Sequence, residues 1–156
     1  ITVPGYGFLL NNELTDFNFA EDTANSPAPG KRPRSSMSPT LVFDARDGRL
    51  LMSLGSPGGP AIIHFTAKTL LGTLGGGLTP QAAIDLPNFG TLGGPVLLEA
   101  GRFPPGTVQA LQAKGHTVSE TPMPSGLQAI QRSGKDGQPV WLGGADPRRE
   151  GIVAGD

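Results

Sequence analysis

The chain contains no cysteine. Disulfides, thiolate metal sites and a cysteine nucleophile are therefore excluded. Charge is also sparse. Asp, Glu, Lys and Arg make up 16% of the chain, and the formal net charge is −1. That balance gives no electrostatic reason to expect nucleic acid or a membrane surface as partner. The one basic cluster, Lys31, Arg32 and Arg34, is small, and no aromatic residue interleaves with it. Aromatics amount to 6%, with one Trp and one Tyr, and nothing resembles the aromatic platform of a sugar site. No apolar run approaches the roughly 20 residues of a membrane-spanning helix. Neither His64 nor His116 has further His, Asp or Glu at ligand spacing, so no metal site is expected.

Glycine and proline are plentiful instead, at 24 and 16 of 156 residues. They are dispersed between apolar runs, and the 37% hydrophobic content can supply a core. A chain of this length is normally one domain, so the expectation is a single loop-rich globular domain over 1–156. Leu41-Val42-Phe43 and Leu50-Leu51-Met52 flank Asp47-Gly48, a strong hairpin signal. A second hairpin is expected around Gly134-Lys135-Asp136-Gly137, between residues 127–132 and 139–142. Pro60 suits the first turn of a helix, in which Ile63, Ala67, Leu70 and Leu71 form the expected buried face. Thr79-Pro80 caps a shorter helix, and another is expected near residues 106–114, burying Val108 and Leu111. Residues 96–99 read as a strand, and another strand starts at His116. Hairpins outnumber βαβ units, which argues for an α+β fold with antiparallel sheets covered by helices.

Three short segments carry candidate chemistry. Glu13 and Asp16 sit three apart and could hold an ammonium; they also suit a helix start or an exposed acidic turn. Ser35 and Ser36 lie between Pro33 and Pro39 and could donate to one carboxylate; they equally suit a solvated turn. No Gly-x-Ser-x-Gly elbow surrounds them, so neither reads as a nucleophile. Gly58 and Gly59 follow a strand and precede a helix, where free backbone N–H groups can meet a developing oxyanion. The same pair also suits a turn that needs glycine for its conformation alone. His64 reads as a packing or supporting polar residue, and His116 as exposed.

Taken together, four blocks resemble the small-subunit region of gamma-glutamyltranspeptidases, which are N-terminal-nucleophile hydrolases. The blocks are Asn11-Asn12-Glu13 with Asp16-Phe17, then Lys31-Arg32-Pro33 through Ser35-Ser36-Met37-Ser38-Pro39-Thr40, then Gly55-Ser56-Pro57-Gly58-Gly59, and finally Ala145-Asp146-Pro147-Arg148-Arg149-Glu150-Gly151. The resemblance implies part of a four-layer αββα sandwich with antiparallel sheets. It implies that Glu13 and Asp16 hold the α-ammonium of a γ-glutamyl group, and that Ser35 and Ser36 hold its α-carboxylate. Gly58 and Gly59 would supply the oxyanion hole. No cofactor and no metal are implied. The compartment implied is periplasmic or extracellular.

The departures also carry information. The family's nucleophile is a threonine at the small subunit's N-terminus, whereas this chain starts at Ile1 and Thr2 reads as internal. The expectation is a C-terminal fragment of the small subunit, inactive by itself. Its expected partners are the large subunit, the N-terminal part of the small subunit and a small γ-glutamyl substrate. Thr15 stands where many members carry a second acidic residue. The short stretch between Asp16 and Ser35 implies a reduced lid loop. Leu86-Pro87-Asn88-Phe89 lacks the basic residue and histidines common in glutathione-type members. This last difference keeps a cephalosporin or glutaryl acylase open as the alternative; a piece with only a binding role is a further one.

Overall fold

The computed structural model describes residues 1–20, 23–134 and 139–155. They fall into two compact units, Ile1–Ser36 and Met37–Asp156. In the first unit the opening segment folds back on itself. Val3 N–H donates to Phe8 O at 2.9 Å and Leu10 N–H to Ile1 O at 3.0 Å, around an antiparallel bridge between Thr2 and Leu9. A single 3₁₀ turn follows at Glu13–Asp16, and the next residue, Phe17, is buried. Most of the described residues between it and Ser36 lack regular structure, as their Pro and Gly content predicts.

The second unit is built on a four-stranded antiparallel sheet of order β1-β2-β6-β7. Its strands are β1 (Thr40–Phe43), β2 (Leu50–Gly55), β6 (Gln128–Ser133) and β7 (Val140–Ala145). Both expected hairpins are present as β1–β2 and β6–β7. Of the second turn, Lys135, Asp136 and Gly137 lie outside the described residues. Side chains alternate across the sheet, so Met52, Leu54 and Ala129 share one face. There they form the core with Leu127, Phe65, Ile84 and Met123. A second sheet orders β3 (Phe89–Thr91), β4 (Val96–Glu99) and β5 (Val118–Thr121). Here β4 and β5 run parallel, which requires a crossover; helix α3 (Thr107–Gln112) provides it. Val108 and Leu111 on that helix are half-buried, not buried as expected. No helix among the described residues is long and apolar enough to cross a membrane.

Helix α1 (Ile62–Leu70) corrects one expectation. Ile63 and Leu71 are 53% and 70% exposed. The buried arc is rotated by one residue and runs through Ile62, Phe65, Thr66 and Thr69. Thr69 in this arc hides its polarity in the helix ladder, donating from Oγ1 to Phe65 O at 3.0 Å, and Thr73, in the turn after the helix, donates from Oγ1 to Thr69 O at 2.8 Å. Helix α2 (Pro80–Asp85) starts as expected, with Thr79 Oγ1 accepting from Ala82 N–H. It packs on β7 and α1.

Candidate active site

Within the first unit, the 3₁₀ turn places Glu13 and Asp16 on one side, because residues three apart eclipse in that helix. Both are half-buried, while Leu14 between them is exposed. One residue that sequence reasoning missed ties this turn to the serine segment. Asn25 donates from Nδ2 to Asp16 O at 2.7 Å and accepts on Oδ1 from Arg34 N–H at 2.9 Å. A single amide thus bridges the backbone of the acidic turn to the residue preceding Ser35-Ser36. Ser35 is exposed and Ser36 half-buried. Only the Asn type at Asn25 could have signalled this bridge, since asparagine is a common backbone-bonding residue in loops.

In the second unit, β2 ends at Gly55 and the chain turns through Ser56, Pro57, Gly58 and Gly59 into a 3₁₀ turn and α1. Gly58 has φ 141°, a value that residues with a Cβ rarely adopt. A Cβ there would also lie 2.6 Å from the Phe65 ring. The glycine therefore has a conformational and a packing reason. Among the described residues, the Gly58 and Gly59 amides donate to no side chain and no loop carbonyl. Amides at a helix start have no intrahelical acceptor, so these N–H groups are available to an anion. A cavity of about 470 Å³ opens beside the turn, lined in part by Ser53, Ser56, Pro57, Gly126 and Gln128.

Ser56 of this turn accepts from Gly126 N–H at 3.1 Å, and Gly126 adjoins a buried polar network centred on Asp146, which is 1% exposed. Its carboxylate accepts from the Ser125 hydroxyl, from Leu127 N–H at 3.1 Å, and from Arg148 N–H at 3.0 Å and Nη1 at 3.1 Å. Arg148 continues to Glu99 through Nε at 2.6 Å and Nη2 at 2.8 Å. Asn88, fully buried, donates to Ser125 Oγ and Met123 O. Burial works to raise the Asp146 and Glu99 pKa values. Ser125 and Arg148 at Asp146, and Arg148 with the Asn88 amide at Glu99, outweigh it and hold both below the usual carboxylate range. Burial likewise opposes the charge on Arg148, but its two carboxylate partners raise its pKa. The Asp146-Pro147-Arg148-Arg149 block is therefore a structural hub, a role that sequence reasoning missed.

Lys68 adds a second buried cation that sequence reasoning missed. Its amine donates to Ile84 O at 3.0 Å and Leu86 O at 2.8 Å. Arg148 donates to the same two carbonyls at 3.1 and 3.0 Å. Burial first, then the neighbouring Arg148 charge, pushes the Lys68 amine down to about 8. His64 plays the expected supporting part, with Nε2 2.7 Å from Thr91 O. His116 is exposed. Among the described residues no group of three or more His, Cys, Asp or Glu could hold a metal ion.

A family model described as Gamma-glutamyltranspeptidase matches residues 1–156. The chain belongs to the gamma-glutamyltranspeptidase family. It is 35% identical over 156 residues to a glutathione hydrolase proenzyme of Bacillus subtilis, covering 99% of this chain and 26% of that protein. It is 33% identical over 131 residues to an acylase ACY 1 proenzyme of a Pseudomonas species, covering 83% of this chain and 23% of that protein. The chain thus spans about a quarter of the length of these curated relatives. Among solved structures, it superposes on an acivicin-inhibited gamma-glutamyltranspeptidase with a TM-score of 0.82 at 30% identity, covering 96% of this chain and 85% of that one. A cephalosporin acylase from Bacillus halodurans gives 0.77 at 29% identity, covering 97% of this chain and 28% of that one. The α/β architecture, with one antiparallel sheet and one mixed sheet, is therefore the family fold, that of the N-terminal-nucleophile hydrolases. Relatives on both the glutathione hydrolase and the acylase side are proenzymes.

Proposed function

We propose that residues 1–156 are a C-terminal portion of the small, catalytic subunit of a γ-glutamyl hydrolase or transferase. The observation that supports it most is the match of the family model to the entire chain, joined to a Gly58-Gly59 turn whose amides are available to an anion. In the intact protein a threonine outside this chain attacks the γ-carbonyl through its hydroxyl. The proton passes to that threonine's own α-amino group and then to the departing amine. The carbonyl oxygen becomes an oxyanion, stabilised by the Gly58 and Gly59 N–H groups. The acyl-enzyme ester is then opened by water or by an acceptor amine. Glu13 and Asp16 hold the substrate ammonium, and Ser35 and Ser36 its α-carboxylate. The large subunit completes the enzyme, and the chain alone is inactive. Export to the periplasm or outside the cell follows the family habit and belongs to the same proposal.

The carboxylate role is tested in the full-length protein with Ser35→Ala/Ser36→Ala. KM for a γ-glutamyl anilide should rise about tenfold or more, as loss of hydrogen bonds to a charged group implies. Unchanged kinetics would reject the assignment. The acylase relatives and the Leu86-Pro87-Asn88-Phe89 departure favour a second reading, a cephalosporin or glutaryl acylase. Glutaryl groups lack the α-amino function, so Glu13 and Asp16 would then contribute little. A preference for glutaryl over γ-glutamyl anilides would select that reading.

A further inference from the structure

The turn that carries Gly58 and Gly59 is not held by its own backbone alone. Ser56 Oγ accepts from Gly126 N–H at 3.1 Å and donates to Pro57 O at 2.7 Å. One hydroxyl therefore ties two pieces of backbone together. The Pro57 carbonyl and the Gly58 N–H belong to one planar trans peptide unit, and no cis peptide occurs among the described residues. Fixing the direction of the Pro57 C=O fixes the opposite direction for the Gly58 N–H. An accepted hydrogen bond at that carbonyl also polarises the unit and strengthens its N–H as a donor.

The other end of the tie is rigid. A Cβ at Gly126 would lie 2.7 Å from Pro57 Cγ and 2.8 Å from Arg149 Cδ, so the segment is closely packed between them. Arg149 binds Pro124 O through Nε and Nη2. Asp146 holds both neighbours of Gly126, the Ser125 hydroxyl and the Leu127 N–H. Without the Ser56 hydroxyl, the peptide before Gly58 has a soft way to rotate, because glycine accepts either orientation.

We propose that Ser56 is a positioning residue that aims the Gly58 N–H at the oxyanion, with the Asp146-clamped Gly126 amide as its anchor. The inference rests on the oxyanion role proposed above. It predicts that the serine of this turn acts on turnover without touching substrate.

The test uses the full-length protein and counts only matured enzyme, by active-site titration. Ser56→Ala should lower kcat on a γ-glutamyl or glutaryl anilide about tenfold to a hundredfold, somewhat less than complete loss of an oxyanion donor, with KM within about twofold. Ser56→Thr, which keeps the hydroxyl, should stay within about threefold of wild type. A Ser56→Ala kcat within twofold of wild type overturns the proposal. So does an equal loss in the Ala and Thr variants, which would make the effect one of packing. Hydrogen exchange over residues 57–62 gives an independent arm, because Ala61 N–H bonds Gly58 O across the turn at 3.2 Å. Exchange there should quicken in Ser56→Ala while the rest of the protein stays unchanged; equal rates overturn the proposal. A wild-type protein inactive on both anilides rejects the proposed function instead, and the exchange arm still decides whether Ser56 orders the turn.

Discussion

Arg148 offers the sharpest test of what holds this unit together. Consider Arg148→Met in the full-length protein. The guanidinium makes two hydrogen bonds to Glu99, one to Asp146, and one each to the Ile84 and Leu86 carbonyls. The losses are unequal. Both carbonyls keep the Lys68 amine. Asp146 keeps the Ser125 hydroxyl, the Leu127 amide and the main-chain amide of residue 148. Glu99 keeps, of its hydrogen bonds among the described residues, Asn88 N–H at 2.8 Å, and its 8% exposed carboxylate loses its ion-pair partner. Breaking a buried ion pair from one side costs about 3–5 kcal/mol. Because Asp146 stays bonded, the lower end, about 3 kcal/mol, is expected from urea unfolding at pH 7. Arg148→Met/Glu99→Gln should recover most of that loss. The pH dependence should change sign. In the wild type the Glu99 pKa is lowered, so its contribution is present above the ordinary value of about 4.3 and is lost as pH falls. In the variant burial opposes only the Asn88 amide and the Arg102 charge and should raise it, so stability falls as pH rises above about 4.3. A loss below about 1 kcal/mol, or a double variant no better than the single, would refute the claim that an orphaned Glu99 dominates.

Two further outcomes follow from single contacts. Lys68 has its pKa lowered to about 8 from 10.5; between those values the unfolded chain holds a proton the folded one has released, so stability should rise with pH across that window. Lys68→Met should abolish that rise in thermal melts, and the Ile84 and Leu86 carbonyls keep their Arg148 donors; a variant with the same pH slope would remove Lys68 as its source. Asn25→Ala removes the bridge between Asp16 O and Arg34 N–H, and KM for the γ-glutamyl anilide should rise more than kcat falls, by about three- to tenfold, the worth of about one hydrogen bond. An unaltered KM would show that the bridge does not order the acidic turn for the substrate-binding role proposed for it.

How far the sequence discloses this molecule depends on where each polar group finds its partner. Both hairpins are legible because their turns and strand alternation are local. The Gly58-Gly59 turn is legible for the same reason, and its φ of 141° is what the glycine implies. Helix α1 is misread because it carries two apolar arcs. Ile63, Ala67 and Leu71 form one, and Ile62 and Phe65 the other. Periodicity finds both and cannot rank them. The buried arc even looks the more polar, since it includes Thr66 and Thr69, and Lys68 is buried as well. Thr69 satisfies its hydroxyl on the preceding turn of its own helix, and Lys68 caps two carbonyls sixteen and eighteen residues away. Those bonds offset the burial of Thr69 and Lys68, and hydropathy cannot register them. The hub at Asp146 is less legible still. Its partners lie at Ser125, Leu127 and Arg148, with Glu99 and Asn88 beyond, so it exists only once β4, β6 and β7 are in place. Local turns with long-range support show themselves in the sequence before the contacts that hold them do.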